Sequence, residues 1–484
     1  EMFQLKIIIL PVYFKKRIMS MPETRKVGKE KFRLYSRKNF RSIGQLASMP
    51  REVIRGIDIA AAVFPFRVNN YVVDELIDWQ KVPDDPIFRL TFPQRGMLEK
   101  TDRKGIERLF AVNAPHSDIR RAAERIQMRL NPHPAGQLKL NVPVENGKVY
   151  NGMQHKYRET VLYFPSHGQN CHAYCSYCFR WAQFAGIDGL KFMNKRPQDL
   201  TEYLDRHPEV TDVLFTGGDP LTMSTRLIRR YVAPLLDRKR KGLSTIRFGS
   251  KALAYWPYRF LSDRDADDLL RLFEQIVAGG LHLAVMAHFS HPRELETPAV
   301  RAAIKRILAT GAQIRCQAPL VRHVNDKPEI WSDMWRKQVT LGAVPYYMFV
   351  PRDTGPQHYF EVPLVDAFHI FSKAYRKVSG LCRTVRGPSM SATPGKVLID
   401  GITDIGGERV FALKFIQGRE PEWVNRIFFA RYDETAAWLD DLRPACGEKQ
   451  FFFKTGLRLL KSVHNERFAQ RQREAIEEAA LECA

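Results

Sequence analysis

Val161-Leu162-Tyr163-Phe164-Pro165-Ser166-His167-Gly168-Gln169-Asn170-Cys171-His172-Ala173-Tyr174-Cys175-Ser176-Tyr177-Cys178 decides the fold. The stretch opens on a short β-rich run and closes on three cysteines spaced by four and three residues. Three thiolates on one loop can hold three corners of a four-iron, four-sulfur (4Fe-4S) cube and leave the fourth iron open to a substrate or cofactor. A cluster with four cysteine ligands is usually confined to electron transfer. Zinc is the alternative, but a structural zinc site wants four ligands, commonly as two paired clusters. Cys316, Cys382, Cys446 and Cys483 are scattered, and His172 is badly placed between two thiolates to serve as a fourth ligand. A disulfide framework is not expected, since no signal-peptide pattern is read in the sequence.

Working outward, short β-rich runs alternate with amphipathic helical stretches. The strands are read at Val161–Phe164, Asp212–Phe215, Thr245–Phe248, Leu281–Met286, Gln313–Gln317 and Tyr346–Val350. One helix is expected to open at Ser262, with Asp265 three residues on as a capping pair, and to stop at Gly279-Gly280. It buries Leu269, Leu272, Phe273 and Ile276, and another helix puts Val300, Ile304, Ile307 and Leu308 on one face. Strand–helix alternation at this interval implies parallel strands with crossover helices. Six units are fewer than a closed eight-stranded barrel needs, so the fold class is α/β, an open partial (β/α)6 barrel spanning about 151–400. The cysteine loop then follows the first strand, at the C-terminal mouth where such folds place their chemistry.

Residues 44–150 read as mostly helical, His116 to Leu130 included, with a connector over 131–150. Residues 401–484 read as a separate small β/α tail with strands at Arg409–Phe415 and Asn425–Ala430 and a charged helix after Gly456. A basic extension covers 1–43. Residues 1–18 are expected to precede the natural start, which would be Met19 or Met21. The net charge is +23, of which the extension's twelve Lys/Arg and three acids supply +9. Such a balance permits an acidic or RNA partner without demanding one. Hydrophobic content of 44% and charged content of 27% are those of a soluble globular chain. The longest apolar run near the start, Ile7 to Phe14, is too short to span a bilayer. A cytoplasmic setting, where thiols stay reduced, is expected.

Two further features carry chemistry. Gly217-Gly218-Asp219 follows the second strand, and glycines there allow close backbone approach. Lys396 follows Pro394-Gly395, where a lysine is ordinarily a solvated turn residue; desolvated near a barrel mouth, it could form a Schiff base.

From about Phe64 to Ala430 the chain resembles the lysine 2,3-aminomutase family. The cysteine spacing, with aromatic Tyr177 before the last cysteine, is similar to that of radical S-adenosylmethionine (SAM) enzymes at large. The family's other motifs recur in order: Phe64-Pro65-Phe66-Arg67, Asp85-Pro86-Ile87, Phe179-Arg180, Gly217 to Leu221, Ala287 to Pro292, Val324-Asn325-Asp326, Pro345-Tyr346-Tyr347 and Pro394-Gly395-Lys396. The resemblance implies a 4Fe-4S cluster on Cys171, Cys175 and Cys178, with SAM near Gly217, Gly218, Asp219 and His288. It implies pyridoxal 5′-phosphate (PLP) on Lys396, with Lys156, Tyr157 and Gln317 as further contacts. Arg180 would pair with the substrate carboxylate. The implied reaction moves the α-amino group of a free amino acid to its β-carbon, by radical chemistry that an electron donor such as flavodoxin or ferredoxin would prime.

The chain departs from the lysine-specific pattern where that pattern has two aspartates. Counting from Pro345-Tyr346-Tyr347 gives Arg352, with Asp353 next, and counting back from Lys396 gives Ser389. The substrate is therefore lysine or an acidic amino acid such as glutamate. The C-terminal zinc-binding cysteines of some lysine-specific members are missing, so the oligomeric state stays open. Rival readings are a radical SAM enzyme that modifies a lysine of a translation factor, an RNA-modifying radical SAM enzyme, and a non-enzymatic cofactor binder. No RNA-binding module is read, and no nucleic-acid or membrane partner is expected.

Overall fold

A computed structural model describes residues 30–482, apart from 146, 188 and 237–241. The expectation for residues 1–18 lies outside the described residues.

The segment before the barrel is mostly helical, with α1 (Arg51–Val63), α2 (Pro86–Thr91), α3 (Lys100–Ala111) and α4 (His116–Arg129). Asp85 starts α2 by accepting from the backbone N–H groups of Ile87 and Phe88, both at 2.9 Å. With Pro86 at the first helical position, this satisfies donors that a helix start leaves free. In α4, Ile119 and Ile126 are buried as their spacing requires, together with Ala123.

Eleven strands form one sheet whose neighbours follow chain order. The first is β1 (Met153–Tyr157), antiparallel to β2 (Thr160–Tyr163). From β2 the sheet runs parallel through β3 (Asp212–Phe215), β4 (Thr245–Ser250), β5 (His282–His288), β6 (Gln313–Pro319), β7 (Val344–Phe349) and β8 (Arg386–Ser391). Then β9 (Gly395–Ile405), β10 (Glu408–Gly418) and β11 (Ile427–Arg431) continue it antiparallel. All six strands read from the sequence are present and parallel, and β8 adds a seventh. Crossover helices include α5 (Pro197–Arg206), α6 (Thr225–Val232), α7 (Ala266–Ala278), α8 (Pro298–Ala309), α9 (Pro328–Thr340) and α10 (Leu364–Arg376). The sheet is open, with β1 and β11 at its ends, yet it curls far enough for Lys156 on β1 to donate to the carbonyl of Ala392, between β8 and β9.

In α7, Leu269, Leu272, Phe273 and Ile276 are fully buried, each contributing about 1.5–3 kcal/mol by leaving water. The helix ends at Gly279, and Gly280 takes a left-handed φ of +87°. Its start differs from the expected one. Ser262 lies in a turn, and Asp265 is the N-cap without capping through its side chain. That carboxylate instead binds Arg259 at 2.9 Å and accepts from Thr225 N–H at 2.6 Å. A buried arginine outcompeted the helix end for it.

The expected separate tail is not detached. Strand β9 runs straight through 400/401, and β10 and β11 are hydrogen-bonded into the barrel sheet. Around them Phe411, Phe415, Trp423, Phe428 and Phe453 build a second apolar cluster, onto which α11 (Lys454–Glu482) packs Leu457. Among the described residues no helix is long and apolar enough to cross a membrane.

Candidate active site

The three cysteines are brought to one end of a cavity of about 790 Å³ by a loop that is tied down on two sides. From the N-terminal region, the Arg67 carbonyl accepts from Tyr174 N–H (2.8 Å) and the Leu90 carbonyl from Ser176 N–H (2.8 Å). Asn69, fully buried, donates to the His172 carbonyl at 3.1 Å. From the barrel, Tyr255 Oη lies 3.2 Å from Cys175 Sγ and Tyr177 Oη lies 3.0 Å from Ser290 Oγ. Beneath Ser290, Glu294 accepts from Lys251 Nζ (2.8 Å) and from the N–H groups of Ser290 (2.5 Å) and His291 (3.0 Å). Burial raises all three thiol pKa values, Cys178 to about 12. Each thiol also feels the charge of a neighbouring one or of a nearby acid. Among the described residues no group of three His, Cys, Asp or Glu side chains is close enough to hold one metal ion.

Gly217 and Gly218 line the cavity beside the thiols. Gly217 has φ +142°, and a Cβ on Gly218 would stand 2.6 Å from the backbone of Asn170. The glycines therefore let the second βα turn press against the residue that precedes Cys171. Asp219 lines the cavity too, but its carboxylate is fully engaged by Leu221 N–H (3.0 Å), Lys251 N–H (2.8 Å) and Ser250 Oγ (2.9 Å). It pins the turn to the end of β4.

Lys396 lies deeper in the barrel, on the second residue of β9, opposite Ser391 on β8 and Gln417 on β10. Its Nζ donates to Gln417 Oε1 at 2.7 Å and sits 4.4 Å from the centre of the Tyr347 ring. Burial holds its pKa well below the usual lysine range, helped by the charges of Arg247, Arg386 and Arg352. This disfavours the ammonium form, the direction a nucleophilic lysine requires. Tyr157 faces the same space with a buried hydroxyl that has no hydrogen-bond partner. Gln317 Nε2 and His288 Nε2 are 2.8 Å apart, and burial drops the His288 pKa to about 3, so the imidazole is neutral. Arg180 packs over Phe164 and Phe179 (4.1 and 5.0 Å), and its buried Nη1 has no partner. Burial, and then Arg352, lower its pKa to about 9.

The cavity thus collects Cys171, Cys175, Cys178, Gly217, Gly218, Asp219, Tyr157, Arg180, His288, Gln317, Arg352 and Lys396. Three expected residues stay outside its lining. Lys156 alternates with Tyr157 along β1 and points to Ala392. Ser389 lies opposite Leu398, fully buried between strands, whereas Ser391, opposite Lys396, reaches the cavity. Asp353 turns away, because Asn131 Nδ2 donates to its backbone oxygen (2.6 Å) and to its carboxylate (3.1 Å). Sequence reasoning missed Asp212, Arg247, Arg315 and Arg386 on the walls. Their signal was available, as charged residues set inside otherwise apolar strands.

No protein-family model matches the chain. A protein of Aquifex aeolicus, provisionally named an L-lysine 2,3-aminomutase, is 30% identical over 397 residues, covering 82% of this chain and 92% of the relative. The L-lysine 2,3-aminomutase of Clostridium subterminale is 26% identical over 276 residues, 57% of this chain and 62% of that enzyme. That of Escherichia coli K12 is 26% identical over 258 residues, 53% and 70% of the two chains. Among solved structures, a radical SAM methyltransferase from Sphaerobacter thermophilus matches 58% of this chain and 91% of its own at 16% identity, with a TM-score of 0.34.

Proposed function

The chain belongs to the lysine 2,3-aminomutase family, and from that premise we propose that it moves the α-amino group of a free amino acid to the β-carbon, as a radical SAM and PLP enzyme. The observation that carries this reading is Lys396, a buried amine in the same cavity as three thiols and an unpaired guanidinium. An RNA-modifying or purely structural protein has no use for that combination.

The donor sets fit the groups implied. Cys171, Cys175 and Cys178 offer three sulfurs on one loop at the cavity wall, within range of one another's charges, which suits a cluster with one open corner better than zinc, a metal that wants four ligands. SAM would lie beside them, against Gly217, Gly218 and the neutral His288–Gln317 pair. PLP would be held by Lys396, with Tyr157 Oη, still unpartnered, within its reach and Lys156 behind the strand. When bound, cluster and SAM supply a hydrogen-abstracting radical, and PLP supplies the conjugated system through which nitrogen migrates.

The chain's own residues do the rest. Gln417 orients the Lys396 amine, and burial, with the charges of Arg247, Arg386 and Arg352, disfavours its protonated form. Arg180, whose buried Nη1 is unpartnered on the cavity wall, would take the α-carboxylate with a bidentate fork. The aromatic walls Tyr347, Phe349 and Phe179 exclude water from the reacting atoms. A reductant of the flavodoxin or ferredoxin class and a cytoplasmic setting belong to the same proposal.

Lys396→Ala tests it. After anaerobic reconstitution the variant should lose the PLP absorbance of the parent and keep its iron content. An unchanged spectrum with unchanged turnover of an amino-acid panel, followed by mass analysis, would refute the assignment.

A further inference from the structure

We propose that the rear mouth of the barrel, opposite the cysteine loop, is a second binding site, in which Arg315 and Arg386 hold a small oxyanion of the phosphate or carboxylate class. The inference stands on the barrel wall alone and does not depend on what occupies the front of the cavity.

The cavity runs the length of the barrel. The three cysteines line it beyond the C-terminal end of β2, whereas Thr160, Asp212, Thr245 and His282 line it from the first positions of β2, β3, β4 and β5. These four are paired in register, Thr160 with Asp212, Asp212 with Thr245 and Thr245 with His282, so they form one tier at the N-terminal end of the strands. In parallel strands that end lies opposite the loops that carry the chemistry.

The charges at this end do not balance. Three guanidiniums, those of Arg247, Arg315 and Arg386, share the wall with the Asp212 carboxylate, and that carboxylate is taken. It accepts from both nitrogens of the Arg247 fork, Nε at 2.8 Å, and from Thr160 Oγ1 at 3.1 Å. Among the described residues Arg315 and Arg386 are in no ion pair. Arg315 donates only to the neutral Gln313 Oε1, at 2.9 Å. Arg386 is held by ring contacts, its Cζ 4.4 Å from the centre of Tyr346 and 4.2 Å from that of Tyr347. Arg315 Cζ lies 5.4 Å from the same Tyr346 ring, so the two free forks meet on one side chain. A cleft lined by one sign of charge concentrates counter-ions. Guanidinium forks select oxyanions, because their paired N–H groups match the oxygens of a carboxylate or phosphate. Both arginines are half-buried in the barrel wall rather than spread on an open face, which suits a small free anion. Tyr347 also carries Lys396 on its ring, with Nζ at 4.4 Å, so an anion on Arg386 sits one aromatic side chain behind the amine.

The full chain, in phosphate-free buffer, is treated with phenylglyoxal, and the modification rate of each arginine is read by peptide mass. Ionic strength is held constant with chloride while inorganic phosphate or acetate is added. Phosphate at about 10 mM should slow modification of both Arg315 and Arg386 about 10-fold, as a dissociation constant of about 1 mM requires. The exposed Arg301 on α8 should react at one rate throughout. Protection by phosphate alone, by acetate alone or by both tells which oxyanion is taken, and each supports the site. Because the two forks hold one anion, Arg386→Met should cancel the protection of Arg315, and Arg315→Met that of Arg386. Protection that survives either substitution overturns the proposal. So do equal rates in phosphate, acetate and chloride, and so does protection of Arg180 with none at Arg315 and Arg386. If a variant fails to fold, the rates of the parent chain decide.

Discussion

Glu294 and Lys251 form a buried ion pair directly beneath the cysteine loop, with side chains 0% and 10% exposed and 2.8 Å between the charged atoms. At that separation the attraction is about 6 kcal/mol even at an effective dielectric of 20. Most of it offsets the cost of removing both charges from water. Glu294→Gln keeps the shape and removes the charge. It also presents an amide N–H where Lys251 Nζ or the N–H groups of Ser290 and His291 need an acceptor. Breaking a buried pair from one side costs about 3–5 kcal/mol. For a chain this long the unfolding entropy is about 1 kcal/mol per degree, so the melting temperature should fall by about 3–5 °C. A double-mutant cycle isolates the cause. Lys251→Met alone should also destabilise, although Glu294 keeps its two backbone donors. The double variant Lys251→Met, Glu294→Gln should be less destabilised than the sum of the singles by at least about 2 kcal/mol. Circular dichroism melts of the four proteins supply the numbers. Additive losses, or a Glu294→Gln shift below about 1 °C, would show that the pair does not support the loop.

Two further outcomes are expected. Gly218→Ala places a methyl 2.6 Å from the Asn170 backbone, which cannot yield as a side chain can. An overpacking cost of about 1–3 kcal/mol should appear together with reduced iron uptake, and full iron content at the parent's stability would contradict the role given to that glycine. Asp353 has its pKa raised to about 6, mainly by burial. The folded protein therefore binds this proton more tightly than the unfolded chain, and the group's contribution falls as pH rises from about 4 to about 6. Asp353→Asn should match the parent near pH 4 and exceed it above pH 6 by about 1 kcal/mol, a value discounted for partial solvent screening. Thermal melts at the two pH values test this, and equal stability at both would count against it.

The barrel was legible because its parallel strands are short apolar runs with clear turn signals between them. Predicted and observed bounds of Asp212–Phe215 coincide. Strand β8 was not legible, since Gly387-Pro388 interrupts it and proline cannot donate to a ladder. Its absence from the reading turned residues 401–484 into a detached tail. Position counts along the chain gave Arg352, which lines the cavity, but stopped at Ser389, because which serine faces the cavity depends on pairing with Lys396 across strands. The clamps on the cysteine loop were equally out of reach. Nothing local marks the Arg67 and Leu90 carbonyls as acceptors for Tyr174 and Ser176, 107 and 86 positions later.

Strand β9 joins the cavity to the second hydrophobic cluster. Lys396, near its start, lines the cavity, and Val397 and Ile399 beside it belong to the aromatic tail core. The tail is therefore the anvil against which Lys396 is set. Gln417, which holds that amine, is itself on the tail's hairpin. A cut at residue 400 would leave Cys171, Cys175, Cys178 and Lys396 in place, yet it would remove Gln417 and the tail core against which β9 packs. Residue 400 is thus no boundary for the surroundings of Lys396, and changes among the tail phenylalanines reach that amine through β9 and Gln417.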